Sequence, residues 1–155
     1  MPRILSRLSI ALIVAAPACG GGSAATATPT SPSNVLSVAG TYPTRATVIA
    51  ERNTCGSVVV QDNPTTVTQS PGATDVSFAH AGSTYRGTVD GSGRFTTSPA
   101  SFAFPDADYT ISLSGRFSTT GFDATVELTK RTPAARCAYA VAWVATKTGG
   151  PNTIP

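Results

Sequence analysis

The strongest constraint on the fold is the alternation of apolar and polar residues between positions 109 and 129. Every second side chain is apolar or glycine over Tyr109–Phe117, and every second one is apolar over Phe122–Leu128. The short polar segment Ser118–Gly121 between them is typical of a turn. A period of two indicates antiparallel β-strands with one buried face. These residues therefore predict a β-hairpin.

Similar alternating segments continue on both sides of this hairpin, and residues 38–148 show no helical periodicity. We predict an all-β domain in the form of an antiparallel up-and-down meander barrel of about eight to ten short strands. A Greek-key sandwich is the alternative, because short strands at close spacing build both folds. The further predicted strands cover residues 44–50, 57–61, 65–69, 75–80, 84–90, 94–96, 101–104 and 138–146.

The chain has three cysteines, at positions 19, 55 and 137. If Cys19 is modified, two remain, and we predict a Cys55–Cys137 disulfide in an oxidising compartment. The barrel supports this pairing, because its last strand pairs with its first. That closure brings Cys137, at the start of the last strand, to the rim where Cys55 lies. Two separate buried thiols are the alternative; a zinc site is disfavoured because the chain has one histidine.

Residues 1–18 have the features of a secretory signal peptide. Arg3 and Arg7 form its positive start, and an apolar run interrupted by Ser9 follows over 8–16. This run is shorter than the ~20 residues that span a bilayer. Ala16-Pro17-Ala18 fits a signal peptidase I site, which would release a secreted protein. Lipoprotein processing at the next residue is the second possibility.

Residues 14–19, followed by three glycines, resemble a bacterial lipobox, with Ala16 where Leu is usual. The resemblance implies that Cys19 is acylated, becomes the mature N-terminus and anchors the protein in a membrane. Two or more acyl chains anchor a protein stably where one does not. Gly20, in place of Asp, resembles the lipoproteins that Gram-negative bacteria send to the outer membrane. We therefore expect a lipid-anchored protein of the cell envelope, in the outer membrane.

The remaining chain divides by composition. Residues 19–37 are rich in Pro, Ser and Thr and predict a flexible tether behind the lipidated Cys19. The barrel domain is expected over 38–148, with a disordered tail over 149–155. Charged residues make up only 12% of the chain, with 11 Lys and Arg against 8 Asp and Glu. Because no basic patch stands out, we expect no nucleic-acid partner. We also expect a monomer.

Few residues suit catalysis or metal binding. A Ser-His-Asp triad would have to use His80, the only histidine, and the chain contains no G-x-S-x-G motif. Asp106-Ala107-Asp108 would need further oxygen ligands to hold Ca²⁺, so we predict a solvated turn there. We therefore expect a protein that is not an enzyme, with no catalytic residues, no metal ligands and no cofactor.

Two segments, Tyr85–Gly91 and Tyr109–Phe117, resemble the strand pattern of the lipocalin and avidin group of barrels. Gly40-Thr41-Tyr42 stands where lipocalins carry a G-x-W motif. The resemblance implies a small closed barrel. It does not extend to biotin binding, because avidins wall their pocket with several tryptophans and this chain has one.

The candidate ligand contacts are side chains predicted to face into the barrel: His80, Tyr85, Tyr139 and Trp143. The alternatives are a rim imidazole bonded to backbone or water at His80, and an ordinary core position at Trp143. Two functions follow from these alternatives. The first is a binding module that takes up an apolar or amphipathic small molecule through its mouth. The second is a solid barrel with a structural or protein-interaction role; an apolar cavity of ~300 Å³ or more would favour the first.

Overall fold

The computed structural model describes residues 35–155. The predicted signal peptide, Cys19 and the tether up to residue 34 lie outside the described residues. Within 35–155, no helix is both long and apolar enough to cross a membrane. The regular secondary structure of the described chain is all β-strand, apart from a single 3₁₀ turn at Ala50–Arg52.

Nine strands follow one another along the described chain. They are β1 Gly40–Ile49, β2 Asn63–Thr68, β3 Asp75–His80, β4 Ser83–Val89, β5 Arg94–Thr97, β6 Ala100–Ala103, β7 Asp108–Ser118, β8 Gly121–Arg131 and β9 Arg136–Thr146. The predicted hairpin over 109–129 is β7 and β8, in which Phe117 lies opposite Phe122 across the turn. Inward positions along these strands alternate with exposed polar ones, as the pattern requires.

The sheet closes into an up-and-down barrel. Each pairing is antiparallel, and the last strand, β9, pairs with the first, β1, from Thr44–Ala145 to Ile49–Ala140. The second closing contact joins β5 to the far half of β7. Strand β6 pairs only with the near half of β7, so eight strands form the wall and β6 extends it at one end. The predicted all-β meander barrel is confirmed, and the sandwich alternative is wrong.

One predicted strand is absent. Residues 57–61 form no strand, although Val58 and Val60 are half-buried and Val59 between them is 88% exposed. These three valines alternate in burial as in a strand, but they lie in a loop that has no partner strand. Val60 packs directly against the core. Strand β2 begins instead at Asn63, and its Pro64 lies opposite Pro43 of β1. The two prolines face each other at a position where neither can donate a ladder hydrogen bond.

An aromatic cluster fills one end of the barrel, which we call the closed end. Tyr42, Phe78, Phe95, Phe117 and Phe122 are at most 2% exposed. Their ring centroids lie 4.7 to 6.1 Å apart in tilted, stacked and edge-to-face pairs. Such rings bury large apolar areas and add favourable pair geometry. These five rings fill the barrel interior at the closed end.

A glycine makes room for this cluster. Gly115 on β7 faces inward, and a Cβ atom there would lie 2.7 Å from the ring of Phe95 and would collide with the carbonyl oxygen of Asp123. A Cβ atom essentially never lies less than 3.0 Å from another non-bonded heavy atom. The inward glycine therefore lets the Phe95 ring lie directly against the β7 backbone.

The C-terminal segment caps the closed end, so the predicted disordered tail over 149–155 is corrected for residues 152–154. Asn152 is only 4% exposed, and Thr153 pairs with Ser37 in an isolated β-bridge. The Asn152 side chain accepts a 2.7 Å hydrogen bond from the Tyr42 hydroxyl and donates to the carbonyl of Ser118 at 2.7 Å. The tail therefore adds a second partner to the Tyr42 hydroxyl, which also lies 2.6 Å from the Val38 carbonyl, and a side-chain donor to the turn between β7 and β8.

Candidate functional site

The other end of the barrel, which we call the mouth, is covered by residues 53–61, which we call the strap. The Cys55–Cys137 disulfide, predicted from the sequence, joins the strap to the start of β9 across 82 positions of the chain. The Thr54 amide donates to the carbonyl of Ala138 at 2.8 Å, and the Ala138 amide donates to the Thr54 hydroxyl at 2.9 Å. The first residues of the strap are therefore joined to the first residues of β9 by the disulfide and these two hydrogen bonds.

A cavity of about 370 Å³ lies between the strap and the barrel wall at the mouth. The strap side is formed by Ser57, Val58 and the disulfide. The wall side comes from neighbouring strand ends, because Tyr109 of β7 pairs with Lys130 of β8, and Lys130 pairs with Cys137 of β9. The residues that line it on that side are Tyr109, Lys130, Thr132, Ala135 and Tyr139.

The cavity lining combines aromatic rings with one cation. The Nζ atom of Lys130 lies 5.7 Å from the centre of the Tyr109 ring, within cation–π distance. Burial raises the pKa of Tyr139, Tyr109 and Tyr85 nearby add to the rise, and Lys130 opposes it. Burial also raises the pKa of Tyr85. Tyr139 and Tyr85 therefore stay protonated at neutral pH and can donate hydrogen bonds.

A separate polar chain lies in the barrel interior. The Thr44 hydroxyl donates to the carbonyl of Tyr42 at 2.9 Å and lies 2.8 Å from the Thr65 hydroxyl, which lies 2.8 Å from Nδ1 of His80. Each hydroxyl carries one proton. All three contacts are hydrogen bonds together only if His80 donates from Nδ1, which leaves Nε2 as an acceptor. Burial lowers the pKa of His80, so its ring is neutral at pH 7.

The structure separates the four predicted ligand contacts. The rings of His80 and Trp143 are in contact at a tilt of 33°, with centroids 4.1 Å apart, and both residues are buried, at 8% and 5% exposure. Trp143 lies two inward positions deeper along β9 than Tyr139, and neither it nor His80 lines the mouth cavity. Tyr85 is buried against Phe102. Of the four, Tyr139 alone lines the cavity.

Sequence reasoning missed Tyr109 and Lys130 as site residues. Tyr109 shares the inward parity of β7, and Lys130 follows Leu128 at the next inward position of β8. The alternation along β8 therefore already placed Lys130 on the inward face of the strand. The strap side of the cavity carried no such signal, because its path depends on the disulfide.

Other features of the described chain are less suited to a small ligand. A groove of about 730 Å³ lies on the outer wall between Pro43, Pro64 and Val144, where the side chains face away from the core. Asp106 and Asp108 are exposed at the turn between β6 and β7. Within residues 35–155, no group of three or more His, Cys, Asp or Glu side chains is placed to hold a metal ion.

No protein-family model, no curated protein and no solved structure matches the chain.

Proposed function

We propose that this protein is a lipid-anchored protein of the bacterial cell envelope whose barrel binds a small amphipathic molecule at the mouth. The observation that carries the proposal is the cavity of about 370 Å³ beneath the strap. Its volume lies within the range of ~300–1,000 Å³ that is usual for small-molecule sites. Its lining combines two aromatic rings and Val58 with several polar groups, so it suits an amphipathic molecule rather than a purely apolar one.

The rest of the barrel supports a site at the mouth rather than along the whole axis. The closed end is occupied by its own aromatic cluster and leaves no room for a ligand, whereas about 370 Å³ is open between the strap and the ends of β7, β8 and β9. A molecule held there contacts the strap directly. The disulfide stabilises the site because it fixes the strap over the ligand.

The binding proposal is tested with a fluorescent apolar probe and a blocking substitution. The protein used is residues 20–155, secreted without its acyl anchor so that no detergent is present. The barrel core and the bridge between Ser37 and Thr153 at the closed end lie within 35–155. Ala135 lines the cavity and its neighbour Ala134 does not. We expect N-phenyl-1-naphthylamine to bind wild type and Ala134→Trp alike, and Ala135→Trp at least tenfold more weakly.

Equal binding of the probe by Ala135→Trp and Ala134→Trp would contradict a site at the mouth, provided that both variants unfold at the temperature of the wild type. Absence of binding to the wild type would contradict it as well. The two alanines are adjacent and exposed, so the matched pair separates blocking of the cavity from the general effect of a new tryptophan.

The anchor is tested separately through Cys19. We expect the wild-type chain to fractionate with membranes and to carry acyl chains on Cys19, and we expect Cys19→Ala to be recovered unacylated. The measurement is mass spectrometry of the N-terminal peptide together with membrane fractionation. A Cys19→Ala protein that remains in the membrane fraction like the wild type would contradict the anchor.

A solid barrel with a structural or protein-interaction role is the second candidate. It is favoured by the filled closed end and by two exposed apolar side chains, Val59 on the strap at 88% exposure and Phe104 at 57%. This alternative predicts that Ala135→Trp has no effect on any small-molecule probe.

A further inference from the structure

We propose that the molecule bound at the mouth carries an anionic group that Lys130 holds; this inference rests on the proposed function and names the chemical class of its ligand. The expected ligand is a small amphipathic anion, with an apolar body and one carboxylate, sulfonate or phosphate group.

The charge of Lys130 is placed at the cavity. The inner face of β8 runs through Phe122, Ala124, Val126 and Leu128 and then reaches Lys130, which is half-buried. Within the described chain, Lys130 is the only charged residue that lines the cavity. Its neighbour Arg131 is exposed. The positive charge therefore faces the cavity at the end of an otherwise apolar stripe.

The charge of Lys130 has no acidic partner among the described residues. Within residues 35–155, the one ion pair joins Arg52 to Glu127 on the outer face of the barrel, and no carboxylate lies at salt-bridge distance from Lys130. The Tyr109 ring offers only a cation–π contact at 5.7 Å. An anion in the cavity would meet a half-buried cation whose charge is not already neutralised.

The other polar groups of the cavity lining are hydrogen-bond donors rather than acids. The cavity has no acidic side chain in its lining, whereas the hydroxyls of Ser57, Tyr109 and Tyr139 are hydrogen-bond donors. Thr132 is already used, because its hydroxyl donates to the carbonyl of Ala135 at 3.1 Å. The lining therefore supplies donors for the oxygen atoms of an anion. Val58 and the aromatic rings remain for the apolar body.

The test compares two probes that share one aromatic framework. 8-Anilinonaphthalene-1-sulfonate carries a sulfonate, and N-phenyl-1-naphthylamine is its uncharged counterpart. We expect the unlipidated chain over 20–155 to bind the sulfonate at least fivefold more tightly, a preference that weakens as KCl is raised. Lys130→Gln should abolish the preference, which is measured as the ratio of the two affinities so that a change in the shape of the cavity affects both probes alike. Lys130→Arg should keep it.

Arg131→Gln is the matched control, because it removes the same charge from the adjacent, outward-facing position. It should leave both affinities unchanged. If the neutral probe binds and Ala135→Trp blocks it, but the sulfonate binds no better or Lys130→Gln has no effect, the anionic class is wrong and the binding site stands. If Ala135→Trp blocks neither probe, the proposed function fails and the inference fails with it.

Discussion

Replacement of Asn152 by alanine tests whether the C-terminal segment is part of the fold. The Asn152 side chain makes three hydrogen bonds at the closed end: with the Tyr42 hydroxyl at 2.7 Å, the Ser118 carbonyl at 2.7 Å and the Gly121 carbonyl at 3.3 Å. The Tyr42 hydroxyl has one proton, which also faces the Val38 carbonyl, so the bonds that are lost in full are the two that the Asn152 amide donates; at about 1 kcal/mol each, the loss is about 2 kcal/mol. Tyr42 retains one partner, because its hydroxyl also lies 2.6 Å from the Val38 carbonyl.

The loss is measured by thermal unfolding with the disulfide intact, followed by near-ultraviolet circular dichroism. For a domain of this size, about 4 °C per kcal/mol translates the loss into a fall of about 8 °C in the midpoint. Thr148→Ala is the control, since its exposed hydroxyl donates a single 2.9 Å hydrogen bond to the Thr41 carbonyl. We expect its midpoint to change by less than 2 °C. A midpoint for Asn152→Ala equal to that of Thr148→Ala would refute the reasoning and restore a disordered tail.

Three further predictions concern the barrel wall, the strap and the buried imidazole. Gly115→Ala places a methyl group against the Phe95 ring and should lower the free energy of unfolding by about 3 kcal/mol in guanidinium titrations; an unchanged midpoint would contradict the close approach. Cys55→Ser with Cys137→Ser opens a loop of 82 positions and should cost up to about 4.5 kcal/mol; native protein with two alkylatable thiols would contradict the crosslink. Because burial lowers the pKa of His80, the unfolded chain takes up its proton first as the pH falls, so stability should decline below about pH 6.5. His80→Asn should flatten this decline in urea midpoints measured at pH 7 and pH 5, and equal slopes would count against the assignment.

The barrel could be predicted because the pattern of each strand and the cysteines point to the same closure. Alternation identified the hairpin of β7 and β8, and the pairing of β9 with β1 brings Cys137 to the mouth beside the strap. Each of these predictions depends on the order of residues along the chain and on the geometry of antiparallel neighbours. Both are properties that one sequence contains.

The strap and the cap could not be predicted in the same way. Val58 and Val60 alternate with Val59 as they would in a strand, and the pattern does not say whether a partner strand or only the core lies beneath them. Asn152 follows two glycines and a proline, a composition that indicates disorder unless its partner is known. That partner, the Tyr42 hydroxyl, is 110 positions away in the chain.

The candidate site was predictable only in part. The inward parity of Tyr139 was sufficient to select it, and the same parity selected His80 and Trp143, which contact each other in the interior instead. Parity distinguishes inside from outside but not the closed end from the mouth. The depth of a position depends on strand stagger and on how much of the interior the aromatic cluster occupies. Neither quantity can be obtained from a period of two.

The central claim, a small-molecule site at the mouth, is tested most directly by native mass spectrometry of the full-length protein purified from the organism that makes it. The account predicts a non-covalent adduct on the wild-type protein, released on mild activation as an amphipathic anion. The same adduct should be present on Ala134→Trp and missing from Ala135→Trp. A wild-type protein without any adduct, or one whose adduct persists on Ala135→Trp, would contradict the claim.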